Sequence, residues 1–299
     1  MNYAIDAEGL VKTFAGKPAL DGIDLRAREG TVLGVLGPNG AGKTTAVRIL
    51  ATLQHPDAGS ARVGGHDVVA EPAKVRELIG LTGQYASVDE KLTGTQNLVM
   101  MARLLGLGRS RARARAAELL ERFGLTEAAG RTASGYSGGM RRRLDLAVSL
   151  VSAPSVLFLD EPTTGLDPHA RSELWSVVRE LVADGVTVLL TTQYLDEADQ
   201  LADDIVLIDR GKVAASGTPA ELKAMAGGHV LEVKPLRRED EEKAMSILGT
   251  GSLSLPVHDL SVPPAVLRKL DDAGVVLAEH ALRLPSLDDV FLTLTGAAK

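Results

Sequence analysis

The sequence predicts an α/β fold built on a parallel sheet, and three observations support that reading. Four near-continuous aliphatic runs, Thr31 to Leu36, Val156 to Leu159, Val186 to Leu190 and Ile205 to Ile208, have the pattern of strands buried on both faces. Longer stretches with helical spacing separate them. One of these strands runs into a glycine-rich turn and out into a helix, the order in which α/β proteins build a phosphate cradle.

That turn is Gly37-Pro38-Asn39-Gly40-Ala41-Gly42-Lys43-Thr44-Thr45, which fits G-x-x-x-x-G-K-[ST]. Its glycines allow backbone N–H groups to turn inward around phosphate oxygens. The helix that follows, with Ala46, Val47, Leu50 and Leu53 on one side, adds its positive end. Lys43 is a point charge for β- and γ-phosphates, and Thr44 offers a hydroxyl to Mg²⁺. Alone, this motif predicts a P-loop nucleotide-binding protein.

Further along, Thr93 and Gln96 form a capping box before a helix carrying Leu98, Met101, Ala102 and Leu105. A second helix has Ala112, Ala116, Leu119 and Phe123 on one face and arginines on the other, read as a solvated face. Val156 to Leu159 ends in Asp160-Glu161-Pro162. Asp160, at the strand's end, is placed to hold Mg²⁺ through water. Glu161 is placed to polarise the water that attacks the γ-phosphate.

Composition bounds the alternatives. The chain has 299 residues, 45% hydrophobic but only 3% aromatic, so its core must be aliphatic. The net charge of -6 argues against a general nucleic-acid binder. The absence of cysteine excludes disulfides and thiolate metal sites. The six histidines are scattered without metal-ligand spacing. Trp175 is read as packing, and Met100 and Met101 as filler. Met1 to Asp6 lack the basic stretch and apolar core of a signal peptide, and no apolar run reaches the ~20 residues of a spanning helix. A cytoplasmic protein is expected. Composition changes near Ala226-Gly227-Gly228, giving an expected first domain at 1–225 and a small α+β appendage at 226–299.

Tyr136-Ser137-Gly138-Gly139-Met140 precedes an amphipathic helix with Leu144, Ala147, Val148 and Val151 on one face. Here the sequence resembles the ABC ATPase family, whose signature is usually Leu-Ser-Gly-Gly-Gln. Ser137, Gly138 and Gly139 at a helix start make a second anion cradle. The resemblance implies head-to-tail homodimers in which each cradle closes on the nucleotide of the partner's P-loop. It also implies a P-loop NTPase fold with a RecA-like core, an antiparallel β subdomain and a helical subdomain. Gln84 resembles the glutamine loop that reaches Mg²⁺ and senses a membrane subunit. Gly165-Leu166-Asp167-Pro168 resembles the D-loop, placing Asp167 near the nucleotide. Phe14 falls where the family puts an aromatic against adenine.

Three positions depart from the family pattern: Tyr136, Met140, and Gln193, where a histidine usually touches the γ-phosphate. A glutamine amide still donates to phosphate but carries no proton charge, so working but modest hydrolysis is expected. The stretches 81–89 and 192–199, with Pro285-Ser286-Leu287-Asp288-Asp289-Val290-Phe291-Leu292, resemble daunorubicin-resistance-type ATP-binding subunits. That subgroup implies ATP hydrolysis energising a drug or antibiotic exporter. It also implies a separate transmembrane permease partner holding the chain on the inner face of the cell membrane. Leu287, Val290 and Phe291 are read as helix core, whereas Asp288 and Asp289 fit either a helix cap or a partner contact. Other cargo, lipid or polysaccharide, remains an alternative, as does a soluble ABC ATPase. A ribosome-acting form normally carries two cassettes, and a DNA-repair form needs a long coiled coil for which the interval from Lys43 to Ser137 is too short.

Overall fold

The structure is a computed structural model that describes residues 2–83, 88–225, 228–257 and 259–295. Two compact units divide between Val213 and Ala214. In chain order the first holds β1 (Tyr3–Phe14), β2 (Lys17–Arg28), β3 (Val32–Leu36), α1 (Lys43–Leu50), β4 (Ala58–Val63) and β5 (His66–Asp67). Then come α2 (Pro72–Leu78), β6 (Ile79–Thr82), α3 (Gly94–Leu104), α4 (Arg109–Arg122), α5 (Gly138–Ser149) and β7 (Val156–Asp160). The unit continues through α6 (Pro168–Ala183), β8 (Thr187–Thr192), α7 (Leu195–Leu201) and β9 (Asp204–Asp209), and the division falls within β10 (Lys212–Gly217).

The expected aliphatic runs are strands β3, β7, β8 and β9, with β3, β7 and β8 buried at every position. They lie in the order β9-β3-β8-β7-β6, each pair parallel. Burial on both faces is why these strands read as continuous rather than alternating. One face packs against the helical elements through Leu98, Leu119, Phe123, Leu144, Leu157 and Leu190. The other packs on α1 and on an antiparallel sheet of order β2-β1-β4-β5 through Ile5, Leu25, Val47, Phe158 and Leu189. Each such fully buried Leu, Ile or Phe contributes ~1.5–3 kcal/mol.

Local signals and outcome agree at α3: Thr93 Oγ1 accepts from Gln96 N at 3.1 Å while Thr93 N donates to Gln96 Oε1 at 2.8 Å. Two residues placed on these helices by their spacing lie at or past the helix end. Leu53 lies beyond α1, after Thr52 turns to φ 61°, and is 63% exposed. Leu105 is the C-cap of α3 and is 49% exposed. Helical periodicity carries past the end of a helix and cannot see where the chain turns away.

The second unit holds α8 (Pro219–Met225), β11 (His229–Pro235), α9 (Glu241–Leu248), β12 (Ser254–Val257), α10 (Val262–Asp272), β13 (Leu277–Arg283) and α11 (Leu287–Thr295). Its antiparallel sheet has the order β12-β11-β13, covered by Leu231, Val233, Leu248, Val266 and Leu270. The compact unit begins earlier than the boundary read from composition at residue 225. The physical reason is that α8 packs with α11, which draws the segment before the Gly-rich stretch into this unit. Leu287 and Val290 are buried. Asp289 accepts from Ser286 N at 2.7 Å and from Arg283 Nη1 at 2.6 Å, so it caps α11 and is tied to β13. The Asp289 hydrogen bond, first among several causes, holds the Arg283 guanidinium above its usual value.

Candidate functional site

The carboxyl ends of β3, β7 and β8 converge at the start of α1. There a cleft of about 320 Å³ is lined by Ala19, Asn39, Gly40, Gly42, Lys43, Thr44, Thr45 and Glu161. A crevice at the carboxyl ends of parallel strands is the usual ligand position of such sheets. The glycines are steric necessities. Gly42, the N-cap of α1, has φ 115°, and a side chain there would meet the Ala19 carbonyl. A side chain at Gly37 would meet the Ile208 carbonyl oxygen. At these two positions the loop packs too closely on β2 and β9 for any residue with a Cβ.

Lys43 is only 4% exposed. Its Nζ donates to Gly37 O at 2.7 Å and Pro38 O at 3.2 Å and stands 3.3 Å from Glu161 Oε1. The loop's own carbonyls thus aim the ammonium into the cleft, and Glu161 faces it from the opposite wall. Asp160, 3% exposed, lies beneath. Its Oδ1 accepts from Thr44 Oγ1 at 3.2 Å and from Thr191 Oγ1 at 2.6 Å. Thr44 Oγ1 and the Asp160 carboxylate are hard oxygen donors side by side, a set that suits Mg²⁺.

Glu161 has φ 50°, in the left-handed region, which for a non-glycine residue costs on the order of 1–3 kcal/mol. The surroundings hold it there. Its N–H donates to Thr191 O at 3.0 Å and Thr191 Oγ1 at 3.1 Å. On its other side, the Pro162 carbonyl accepts from Arg142 Nε at 2.6 Å.

The second cradle is at the start of α5. Ser137 is the N-cap, and its Oγ accepts from Met140 N at 3.2 Å. Ser137 and Gly138 are exposed, and neither Ser137 nor the two glycines line the cleft of their own chain. Tyr136 is buried and its hydroxyl donates to Ala128 O at 2.8 Å, so the departure from leucine serves the helical elements rather than the cradle.

The remaining expected residues stand apart from the cleft lining. Phe14, at the end of β1, is 49% exposed, with Lys12 Nζ 6.0 Å from its ring centre. Asp167 is the N-cap of α6, accepting from Ala170 N at 2.9 Å. Gln193 is exposed just after β8. Gln84 lies outside the described residues. Among the described residues, no group of three or more His, Cys, Asp or Glu side chains gathers to hold a metal.

Three functional-looking residues had escaped sequence reasoning. Thr191 orients both acids, and its signal was a polar residue ending an aliphatic strand. Arg142 was hidden in a run of three arginines, and only the buried acid at i+3, Asp145, marks its face. Glu197 is fully buried, and Trp175 Nε1 donates to its Oε1 at 3.1 Å, so Trp175 is more than packing. Burial pushes the Glu197 carboxyl up, and the bond from Trp175 opposes that rise.

Residues 20–164 match the family described as ABC transporter. The chain is 54% identical to the daunorubicin/doxorubicin resistance ATP-binding protein DrrA of Streptomyces peucetius, over 98% of this chain and 92% of that protein. It is 49% identical to the doxorubicin resistance ATP-binding protein DrrA of Mycobacterium tuberculosis, over 98% and 94%. Among solved structures it is similar to the ADP conformation of MJ1267, an ATP-binding cassette of an ABC transporter. There the TM-score is 0.68 at 25% identity, covering 74% of this chain and 93% of that one.

Proposed function

The chain belongs to the ABC transporter family as an ATP-binding subunit, and from that premise we propose that its ATP hydrolysis drives the export of drugs or antibiotics. The observation that carries the hydrolytic part is the cleft in which Lys43 and Glu161 face each other at 3.3 Å above the Thr44–Asp160 pair. The drug cargo rests on the likeness to the two DrrA proteins, whose names state drug resistance.

The division of labour follows from position. The loop from Gly37 to Thr45 wraps the phosphates, with Lys43 neutralising the β- and γ-oxygens. Thr44 and Asp160, with Gln84, would hold Mg²⁺. When bound, that ion would supply positive charge to offset the charge on the phosphate oxygens. Glu161 orients the attacking water and accepts its proton, and Gln193 donates its amide to the γ-phosphate. Phe14 offers a ring face to adenine.

Ser137 and Gly138 are exposed, and neither they nor Gly139 line their own cleft, which supports closure onto a second copy. ATP then acts between two chains, with Asp167 at the junction, and hydrolysis releases them. The region 88–122 carries an apolar groove of about 590 Å³ lined by Leu92, Thr95, Gln96, Val99, Met100 and Arg113. This groove is where we place the separate transmembrane permease. No helix among the described residues is long and apolar enough to cross a membrane. The chain thus sits on the inner face of the membrane through that partner, and residues 226–299 serve the assembly.

The test is a pair of substitutions read by nucleotide binding, turnover and association state. Lys43→Ala weakens ATP binding. Glu161→Gln binds ATP, fails to turn over and accumulates paired chains. Parental hydrolysis in Glu161→Gln removes Glu161 from its role.

A further inference from the structure

Arg142 lies on α5, just over one turn beyond the Ser137 cradle. Its side chain is only 15% exposed and reaches three acceptors. Nε donates to Pro162 O at 2.6 Å, Nη1 donates to Gly83 O at 3.2 Å, and Nη1 also meets Asp145 Oδ2 at 3.2 Å. Pro162 directly follows Glu161, and Gly83 directly precedes Gln84. A single guanidinium therefore ties the signature helix to the segment leaving the acid pair and to the segment leading into the glutamine loop.

The strongest of these bonds falls where the backbone needs support. Glu161 holds a left-handed conformation that a non-glycine residue keeps only when its surroundings over-determine it. Thr191 fixes the amide of Glu161, and Arg142 fixes the carbonyl one residue later. The planar guanidinium places Nε on Pro162 and Nη1 on Gly83 and Asp145, a spread between two nitrogens that the single ammonium nitrogen of a lysine does not reproduce. An ion pair for stability alone would need Asp145 and neither carbonyl.

We infer that Arg142 is a positioning residue that sets the Glu161 carboxylate from the signature helix, so that a phosphate arriving at Ser137 is felt at the acid pair of the same chain. This rests on the paired-chain reading above and deepens it: the cradle a chain lends to its partner and the acid it uses itself share one rigid connection. Loading of one site thereby adjusts the water-orienting group of the other.

The test is steady-state ATPase of the full chain, with kcat, KM and the Hill coefficient measured for Arg142→Met, Arg142→Lys and Asp145→Asn, beside thermal unfolding of each. Arg142→Met should lower kcat at least tenfold with KM little changed, since a misplacement of about 1 Å can cost ~100-fold. Its Hill coefficient should fall towards about 1, the value for independent sites. Arg142→Lys, which restores one donor, should recover part of kcat and covers the case in which the methionine variant does not fold. Asp145→Asn keeps both carbonyl bonds and should keep kcat and cooperativity even where it loses stability. The inference is overturned if Arg142→Met turns over within about twofold of the parent, or if Asp145→Asn loses kcat and cooperativity equally. It is overturned as well if neither Arg142 variant differs from the parent in Hill coefficient. Failure here is separable from failure of the underlying reading, because Glu161→Gln tests the latter with Arg142 intact.

Discussion

Replacing Thr191 with valine isolates the support beneath the acid pair. The two side chains are nearly isosteric, and Thr191 is fully buried, so the substitution exchanges a hydroxyl for a methyl without opening a cavity. What is lost is the 2.6 Å donation to Asp160 Oδ1, a charge-assisted bond to a carboxylate only 3% exposed. Hydrogen bonds to charged groups contribute ~1.5–3 kcal/mol, and burying a methyl returns somewhat less than 1 kcal/mol. Glu161 N keeps its bond to Thr191 O at 3.0 Å, so its backbone is not released. A net loss of about 1–2 kcal/mol remains, equivalent to roughly 2–8 °C in melting temperature for a unit of this size. Thermal unfolding of Thr191→Val should show that shift. Thr191→Ser, which retains the hydroxyl but gives up a buried methyl worth ~1 kcal/mol, should keep magnesium-dependent turnover close to the parent. Magnesium-dependent turnover should fall in the valine variant because Asp160 then keeps only the longer bond from Thr44 at 3.2 Å. Equal melting temperatures and equal turnover in the valine and serine variants would refute the claim that Thr191 holds the acid pair.

Glu197 provides a pH-dependent counterpart. Burial raises its folded pKa above that of an ordinary glutamate, so folding favours the protonated form and the stability it lends is lost as pH rises through the raised value. Glu197→Gln, which mimics the protonated carboxyl, should raise the melting temperature at pH 8 and lose that advantage as pH falls towards 4.5; an equal difference at both pH values would place the effect elsewhere. Gln193→Ala removes one amide donor to a charged phosphate, worth ~1.5–3 kcal/mol, and should lower turnover or ATP affinity by roughly 10- to 100-fold. The pH–rate profile should keep its shape, since an amide does not titrate, and unchanged turnover and affinity would remove Gln193 from the site.

The parts of this molecule legible in its sequence are those whose residue types answer to local physics. β3 and the loop after it were readable because buried parallel strands are continuously apolar and because Gly37 and Gly42 pack where no Cβ fits. The capping box at Thr93 and Gln96 was readable for the same reason: both partners lie within one turn. The illegible parts depend on chain segments far apart in sequence. Thr191 meets Asp160 across two strands, Arg142 meets Pro162 across a helix and a strand, and Trp175 meets Glu197 between two helices. No periodicity announces such pairs, because each side chain alone is an ordinary threonine, arginine or tryptophan. The place at which the chain divides was hidden likewise, since the α8–α11 packing joins residues near opposite ends of the second unit.

The departures from the family pattern can be sorted by what each touches. Tyr136 directs its hydroxyl to the Ala128 carbonyl, and its ring end lies where a side chain on Gly94 would stand. Gly94 begins α3 immediately after the Thr93 cap, so the larger signature residue is accommodated by the absence of a Cβ on the facing helix. The exchange is thus internal to the helical elements, and the Ser137 turn beside it keeps its cap geometry. Gln193 differs in kind, because it stands exposed after β8 with no helix to absorb the change. In the role proposed for Gln193, a loss of charge there falls on the phosphate chemistry itself. Of Tyr136 and Gln193, only the glutamine, in its proposed role, has a direct route to the rate, whereas the tyrosine acts through how firmly α5 is seated.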